Sequence, residues 1–418
     1  MKNNLSSLLF TIAFLSINAI SAQTETEISP SGHIKTIIFK GGNNNDPFPV
    51  VKPGEPVFLS FDDLHADEAD YYYKIVHCNY DWTPSDLLKS QYIDGMDNQR
   101  ITEYKNSVTT LQPYSHYWLQ LPNRQTRLKL SGNYILKIFN RYDELVFSRR
   151  FIVYQDKVAV GVSLKRSRDL QHINSQQVVQ FVIQTGNARI VNPQQEVKVA
   201  ILQNHRWETA ITGLRPQYFS GNQLIYRYNE ETAFNGGNEF LFFDNKEIRA
   251  VNNSIAKVRL QELYHHYLFT DPGRAGQPYT YNPDINGDFL VRTLDGNNSD
   301  TQADYARVHF SLAAQDINGL KNVYVYGKFN NYAIAPENKL IFNEQTGHFE
   351  TTLLLKQGFY NYKYVLAGEN GTIDETAIGG NHSETENNYL VIVYYRNFGE
   401  LYDSIIGIGS GTSVNISN

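Results

Sequence analysis

The chain has 418 residues, 37 of them basic and 43 acidic, for a formal charge of −6, which argues against nucleic acid as a partner. At 41% hydrophobic residues it is long enough to bury more than one core, so wholesale disorder is excluded. The 29 Tyr and 23 Phe against 2 Met favour strands over helices, and the single cysteine, Cys78, rules out an internal disulfide or a Cys-rich zinc site.

Lys2 precedes a mostly apolar run over residues 5–20 that ends at the small residues Ser21 and Ala22. This is the pattern of a signal peptide cleaved after Ala22, and the run is shorter than a bilayer span needs. No cysteine follows it to carry a lipid, so the expectation is an exported, soluble chain.

From Ile34 onward, short alternating segments are bounded by Gly, Pro, Asn and Asp, the pattern of sheets with one buried face. A first block runs over residues 23–155. In it Tyr71, Tyr73 and Ile75 alternate with Tyr72, Lys74 and Val76, and residues 86–102 predict a short helix or an excursion between strands. A second block, 156–302, opens on Val158, Val160, Val162 and Leu164 and closes with a long polar connection. The third, 303–400, runs from Val308, Phe310 and Leu312 to a last strand over residues 390–395. The Gly-rich tail, 401–418, is too short for a domain and is expected to fray or to pair along a neighbouring edge. The predicted fold is all-β: tandem immunoglobulin-like or early-set β-sandwiches in an elongated row.

Chemistry is sparse. The carboxylates Asp62, Asp63, Asp67, Glu68 and Asp70 offer oxygens to a calcium ion, but a solvated loop is the expected reading. Asp284-Ile285-Asn286-Gly287-Asp288 alternates oxygen-bearing side chains yet lacks the closing Glu of a calcium loop. His265 and His266 are neighbours, so on a strand they face opposite ways and cannot chelate one ion together; the same holds for His77 and Cys78 as a thiolate pair. The tail string Gly407-Ile408-Gly409-Ser410-Gly411 is no nucleophile elbow, and no phosphate loop opens a helix. No catalytic residue, cofactor or metal is therefore predicted. A hydrolase whose acid and base meet only in the fold stays open.

Exposed aromatics remain. Tyr326-Gly327-Lys328-Phe329-Asn330-Asn331-Tyr332, with Gly358-Phe359-Tyr360-Asn361-Tyr362-Lys363-Tyr364, resembles the early-set sandwich of glycogen- and starch-binding modules. In that family an aromatic residue after Phe-Asn stacks on a sugar. The resemblance implies Tyr332 as the stacking residue and α-glucan or a related polysaccharide as ligand, while cross-strand Tyr pairing is the plainer reading.

The whole chain resembles the plug protein family of the type IX secretion system. The likeness rests on Ile75-Val76-His77-Cys78-Asn79-Tyr80-Asp81-Trp82, Ser131-Gly132-Asn133-Tyr134, the 284–288 segment, Ala303-Asp304-Tyr305, and Thr385-Glu386-Asn387-Asn388-Tyr389 leading to Val393-Tyr394-Tyr395-Arg396. It implies a non-catalytic periplasmic protein at the inner side of the outer membrane. Such a protein closes the periplasmic mouth of a large translocon barrel when no cargo is in transit. Loop aromatics of the first block, Tyr80, Trp82 and Tyr114, are the predicted anchors for that partner.

Overall fold

Alternation becomes burial in the strand Tyr71–Cys78: Tyr71, Tyr73 and Ile75 are buried while Tyr72, Lys74 and Val76 are half-exposed. The computed structural model describes residues 23–30, 32–43, 46–186, 188–313, 322–414 and 416, so the predicted signal peptide lies outside the described residues. The protein is mostly β, as the composition predicts.

In the first block, one sheet joins Ile34–Gly41, Val57–Asp63, Ser115–Leu121 and Tyr104–Asn106. It faces a second sheet built on Tyr71–Cys78, Gly132–Asn140 and Leu145–Val153. Phe61 and Tyr117 from one sheet pack on Tyr71, Phe147 and each other at ring distances of 5.0–5.2 Å, so a run of stacked and edge-on aromatics fills the core. Residues 86–102 carry one turn of helix, Lys89–Tyr92, and two short strands.

The remaining strands are not partitioned in chain order. The middle sandwich pairs Ala159–Arg166 with Gln176–Gln184 in one sheet. Its other sheet pairs Val197–Gln203 with Asn388–Tyr395, which pairs in turn with Ser404–Thr412. The strand expected to close the third block is thus taken by the second, and the tail is a full strand of that sandwich. Its glycines explain the fit. A Cβ on Gly407 or Gly409 would lie 2.7 Å or 2.5 Å from the carbonyl oxygen of Val158 or Val160, and one on Gly411 would strike Val162 and Leu164. Spaced by two, these glycines form one face that lets the tail lie directly on the 158–164 segment.

The third block gains what the second was expected to keep. Leu241–Asp244, Ile255–Leu260, Tyr264–Leu268 and Phe289–Val291 join the ladder of Tyr305–Ala313, Asn322–Tyr326, Lys339–Asn343, His348–Lys356 and Gly358–Ala367. The long strand Gly358–Ala367 makes this possible: its first half pairs with Leu241–Asp244 and Phe289–Val291, its second with Asn322–Tyr326. All these strands enclose one core around Phe243, Phe310, Tyr360 and Tyr362. The long connection predicted at the end of the second block is therefore largely sheet. Nor do the blocks form an elongated row, because the first touches the third as well as the second. No helix among the described residues is long and apolar enough to cross a membrane.

Candidate functional site

Buried charged and aromatic side chains meet where the blocks join. Between the first and third, Asp62 of Val57–Asp63 is opposite His116 of Ser115–Leu121, and the carboxylate takes the His116 Nδ1 at 2.6 Å. In the third block Tyr305 is the register partner of Lys356, which puts both side chains on one face. The Tyr305 hydroxyl and the Lys356 ammonium both reach Asp62 Oδ2 at 2.7 Å. Asp62 and Lys356 are fully enclosed. Burial acts to raise the Asp62 carboxyl, but Lys356 and His116 outweigh it and hold the group below the ordinary carboxylate range. Tyr114 completes the seam: its hydroxyl donates to the Ala303 carbonyl at 2.8 Å, and the Lys356 ammonium lies 4.0 Å over its ring. Asp304 accepts the backbone N–H groups of Leu111 and Gln112.

The first and second blocks share an apolar seam of Cys78, Trp82, Ile135 and Ile152 against Ala200, Leu202, Ile392, Tyr394 and Ile405. Trp82 meets Trp207 edge-on at 4.8 Å with the Arg150 guanidinium 4.3 Å over its ring. The Tyr394 hydroxyl donates to Asn133 Oδ1 at 2.9 Å, and the Tyr80 N–H donates to Asp403. Burial pushes the Cys78 thiol up to about 12, so it packs as an inert small side chain, as predicted.

At the third junction Arg206 from the middle sandwich donates to Glu375 and to the Tyr326 hydroxyl, each at 2.8 Å, and lies 4.6 Å over the Tyr332 ring. Lys363 reaches the same carboxylate at 3.0 Å. Burial would raise Glu375, yet Lys363 and Arg206 bring it down to about 2. Beside this cluster is a cavity of about 440 Å³ lined by all three blocks, among them Glu27, Arg149, Arg150, His205 and Lys328. His205 stacks on Phe48 at 3.6 Å and is kept neutral by burial, with its value lowered to about 3.

These placements revise the predicted anchors. Trp82 and Tyr114 are buried and Tyr80 is half-buried under Lys198, so all three bind blocks of this same chain to one another. Their loop aromatic character was legible, but their partners are 125–323 residues away. Tyr332 is half-buried, with Arg206 4.6 Å over one face of its ring and the Tyr326 ring 5.2 Å away, and it lines the cavity beside this cluster. Asp62 and Asp63 are interior strand residues, not solvated loop carboxylates. The 284–288 carboxylates are engaged by the chain: Asp284 accepts the N–H groups of Phe240 and Asn286, and Asp288 pairs with Lys328 at 3.1 Å. His265 bonds His309 while His266, on the other face, is buried against the Ile248 carbonyl. Large exposed apolar residues missed in the sequence are Phe398, 99% exposed between Asn388–Tyr395 and Ser404–Thr412, and Tyr218 and Phe219 on the middle sandwich.

Four of the five stretches behind the plug-protein resemblance thus supply residues to the junctions: Cys78 and Trp82, Asn133, Asp304 and Tyr305, and Tyr394. Comparison with known proteins agrees with the resemblance. Residues 34–155 match the family model of the type 9 secretion system plug protein first domain. Residues 317–396 match the model described as the glycogen recognition site of AMP-activated protein kinase. No curated protein matches. Among solved structures, a hypothetical protein from Parabacteroides merdae ATCC 43184 is similar at 32% identity and a TM-score of 0.88, over 93% of this chain and 100% of that one. Residues 34–155 are thus a type 9 secretion system plug protein first domain, and the chain carries toward its C-terminus a domain like the glycogen-binding module of AMP-activated protein kinase.

Proposed function

We propose that the protein is a non-catalytic plug: in the periplasm, against the inner side of the outer membrane, it binds the translocon barrel of type IX secretion and closes its opening when no cargo is in transit. The first-domain match carries this reading. The junctions support it. A stopper acts through shape, and three blocks tied pairwise by buried ion pairs and aromatic seams resist being pulled apart. A contact above the standard ~1,600 Å² is within reach of three sandwiches, with exposed rings such as Phe398, Tyr218 and Phe219 as anchors on a polar rim.

The test is a deletion strain together with affinity capture from detergent-solubilised envelope. Entry of antibiotics normally kept out and capture of one very large barrel are the expected results, with capture reduced by Phe398→Ala. An intact barrier in the deletion strain, with the protein recovered free, rejects the proposal. For the polysaccharide reading, one face of the Tyr332 ring is occupied by Arg206.

A further inference from the structure

The exported chain predicted from the sequence has one cysteine and hence no disulfide to staple its first strand, but three other side chains converge beside that strand. In the antiparallel pair of Ile34–Gly41 with Val57–Asp63, Ile34 is opposite Asp63. His33 therefore enters one strand beside the point where Leu64 and His65 leave the other, and the Leu64 N–H donates to the His33 carbonyl at 3.0 Å. The two imidazoles stack at 4.2 Å, 11° from parallel. His65 Nδ1 is 3.8 Å from Asp63 Oδ1, and one ligand atom from each of His33, Asp63 and His65 falls within 4.8 Å of the others. Asp63 is buried, and its other oxygen takes the Tyr71 hydroxyl at 2.8 Å. Oδ1 itself accepts the His65 backbone N–H at 3.0 Å, and the two bonds together fix the carboxylate with Oδ1 on the histidine side, the outer support that metal-ligating carboxylates use.

We propose that His33, Asp63 and His65 form a binding site for a zinc-type divalent metal ion, a cross-strand staple at the start of the first sandwich. Two imidazoles and one carboxylate suit a borderline ion over calcium or magnesium, which prefer all-oxygen shells. Tetrahedral bonds of ~2.1 Å put ligand atoms about 3.4 Å apart. The site closes when a ring leaves the stack, and the His65 side chain, 61% exposed, is free to turn and leaves a solvent side for a water ligand. Three of the neighbouring carboxylates are engaged elsewhere: Asp62 by Lys356, Glu68 by Tyr104 and Asn106, Asp70 by Arg100.

The test uses the metal-stripped full-length mature protein, titrated with Zn²⁺ by calorimetry and with Co²⁺ by visible absorption, with Tm followed in parallel. Expected are one bound equivalent, tetrahedral-type Co²⁺ bands and a Tm raised by metal. His33→Ala and His65→Gln should each lose the equivalent and the metal-dependent Tm rise while keeping the metal-free Tm, since neither ring is in a core. His265→Ala, at the separate His265–His309 pair, should bind as the parent does. Absence of a bound equivalent in the parent chain overturns the proposal, as does one that survives both His33→Ala and His65→Gln.

Discussion

Replacing Lys356 by Met removes one half of a buried ion pair and keeps most of the side-chain volume. The lost contacts are 2.7 Å to Asp62, 2.7 Å to the Asp300 carbonyl, and the ammonium over Tyr114 at 4.0 Å. Asp62 is then left buried without its ammonium, with the His116 Nδ1 and the Tyr305 hydroxyl as its remaining partners. Stranding one partner of a buried pair costs ~3–5 kcal/mol, a large share of the ~5–15 kcal/mol of a typical domain. Urea unfolding at pH 7 measures it, and hydrogen exchange at residues 111–114 and 303–305 reports whether the seam between first and third blocks opens first. Adding Asp62→Asn to Lys356→Met removes the stranded charge, so the double variant should recover at least ~1 kcal/mol through coupling of contacting sites. The folded-state value of Asp62 is depressed, so its stabilisation is complete above the unfolded carboxylate value of ~3.9 and is lost as pH falls through the lower folded value. The gap between parent and Lys356→Met must therefore narrow in acid. A cost below ~1 kcal/mol, or a gap indifferent to pH, would refute the claim that this pair locks the junction.

Arg206→Ala should cost ~3–5 kcal/mol by stranding Glu375 beside Lys363 alone. Because Glu375 is held to about 2, its contribution is complete above the unfolded Glu value of ~4.3 and is lost as pH falls toward 2, so unfolding should show the full deficit at pH 7 and a smaller one at pH 3. Gly409→Ala places a methyl 2.5 Å from the Val160 carbonyl oxygen and should destabilise by ~1–3 kcal/mol, read as a lower urea midpoint; a neutral result would mean the tail does not lie on the 158–164 segment. Cys78, buried with its thiol pushed up to about 12, should resist an aromatic disulfide reagent at pH 8 until the protein is unfolded in urea, when one thiol reacts.

Period-two alternation was enough to predict an all-β chain and to say which face of residues 71–76 is buried, because pleating ties side-chain direction to position locally. The same alternation carries no information about what the buried face meets. Trp82, Tyr114 and Tyr332 were legible as aromatic anchors, yet sequence assigned them to a translocon or a sugar, whereas Trp207, Ala303 and Arg206 are what they touch. The spacing of Gly407, Gly409 and Gly411 was visible as well. That the spacing lets a terminal strand lie on the 158–164 segment, and that Asn388–Tyr395 joins Val197–Gln203 instead of its neighbours in sequence, was settled by packing between segments some 190–250 residues apart. Local chemistry dictates that a strand forms and which side it hides; pairing partners are chosen by which distant surfaces exclude water best, and that choice exists only in the folded chain.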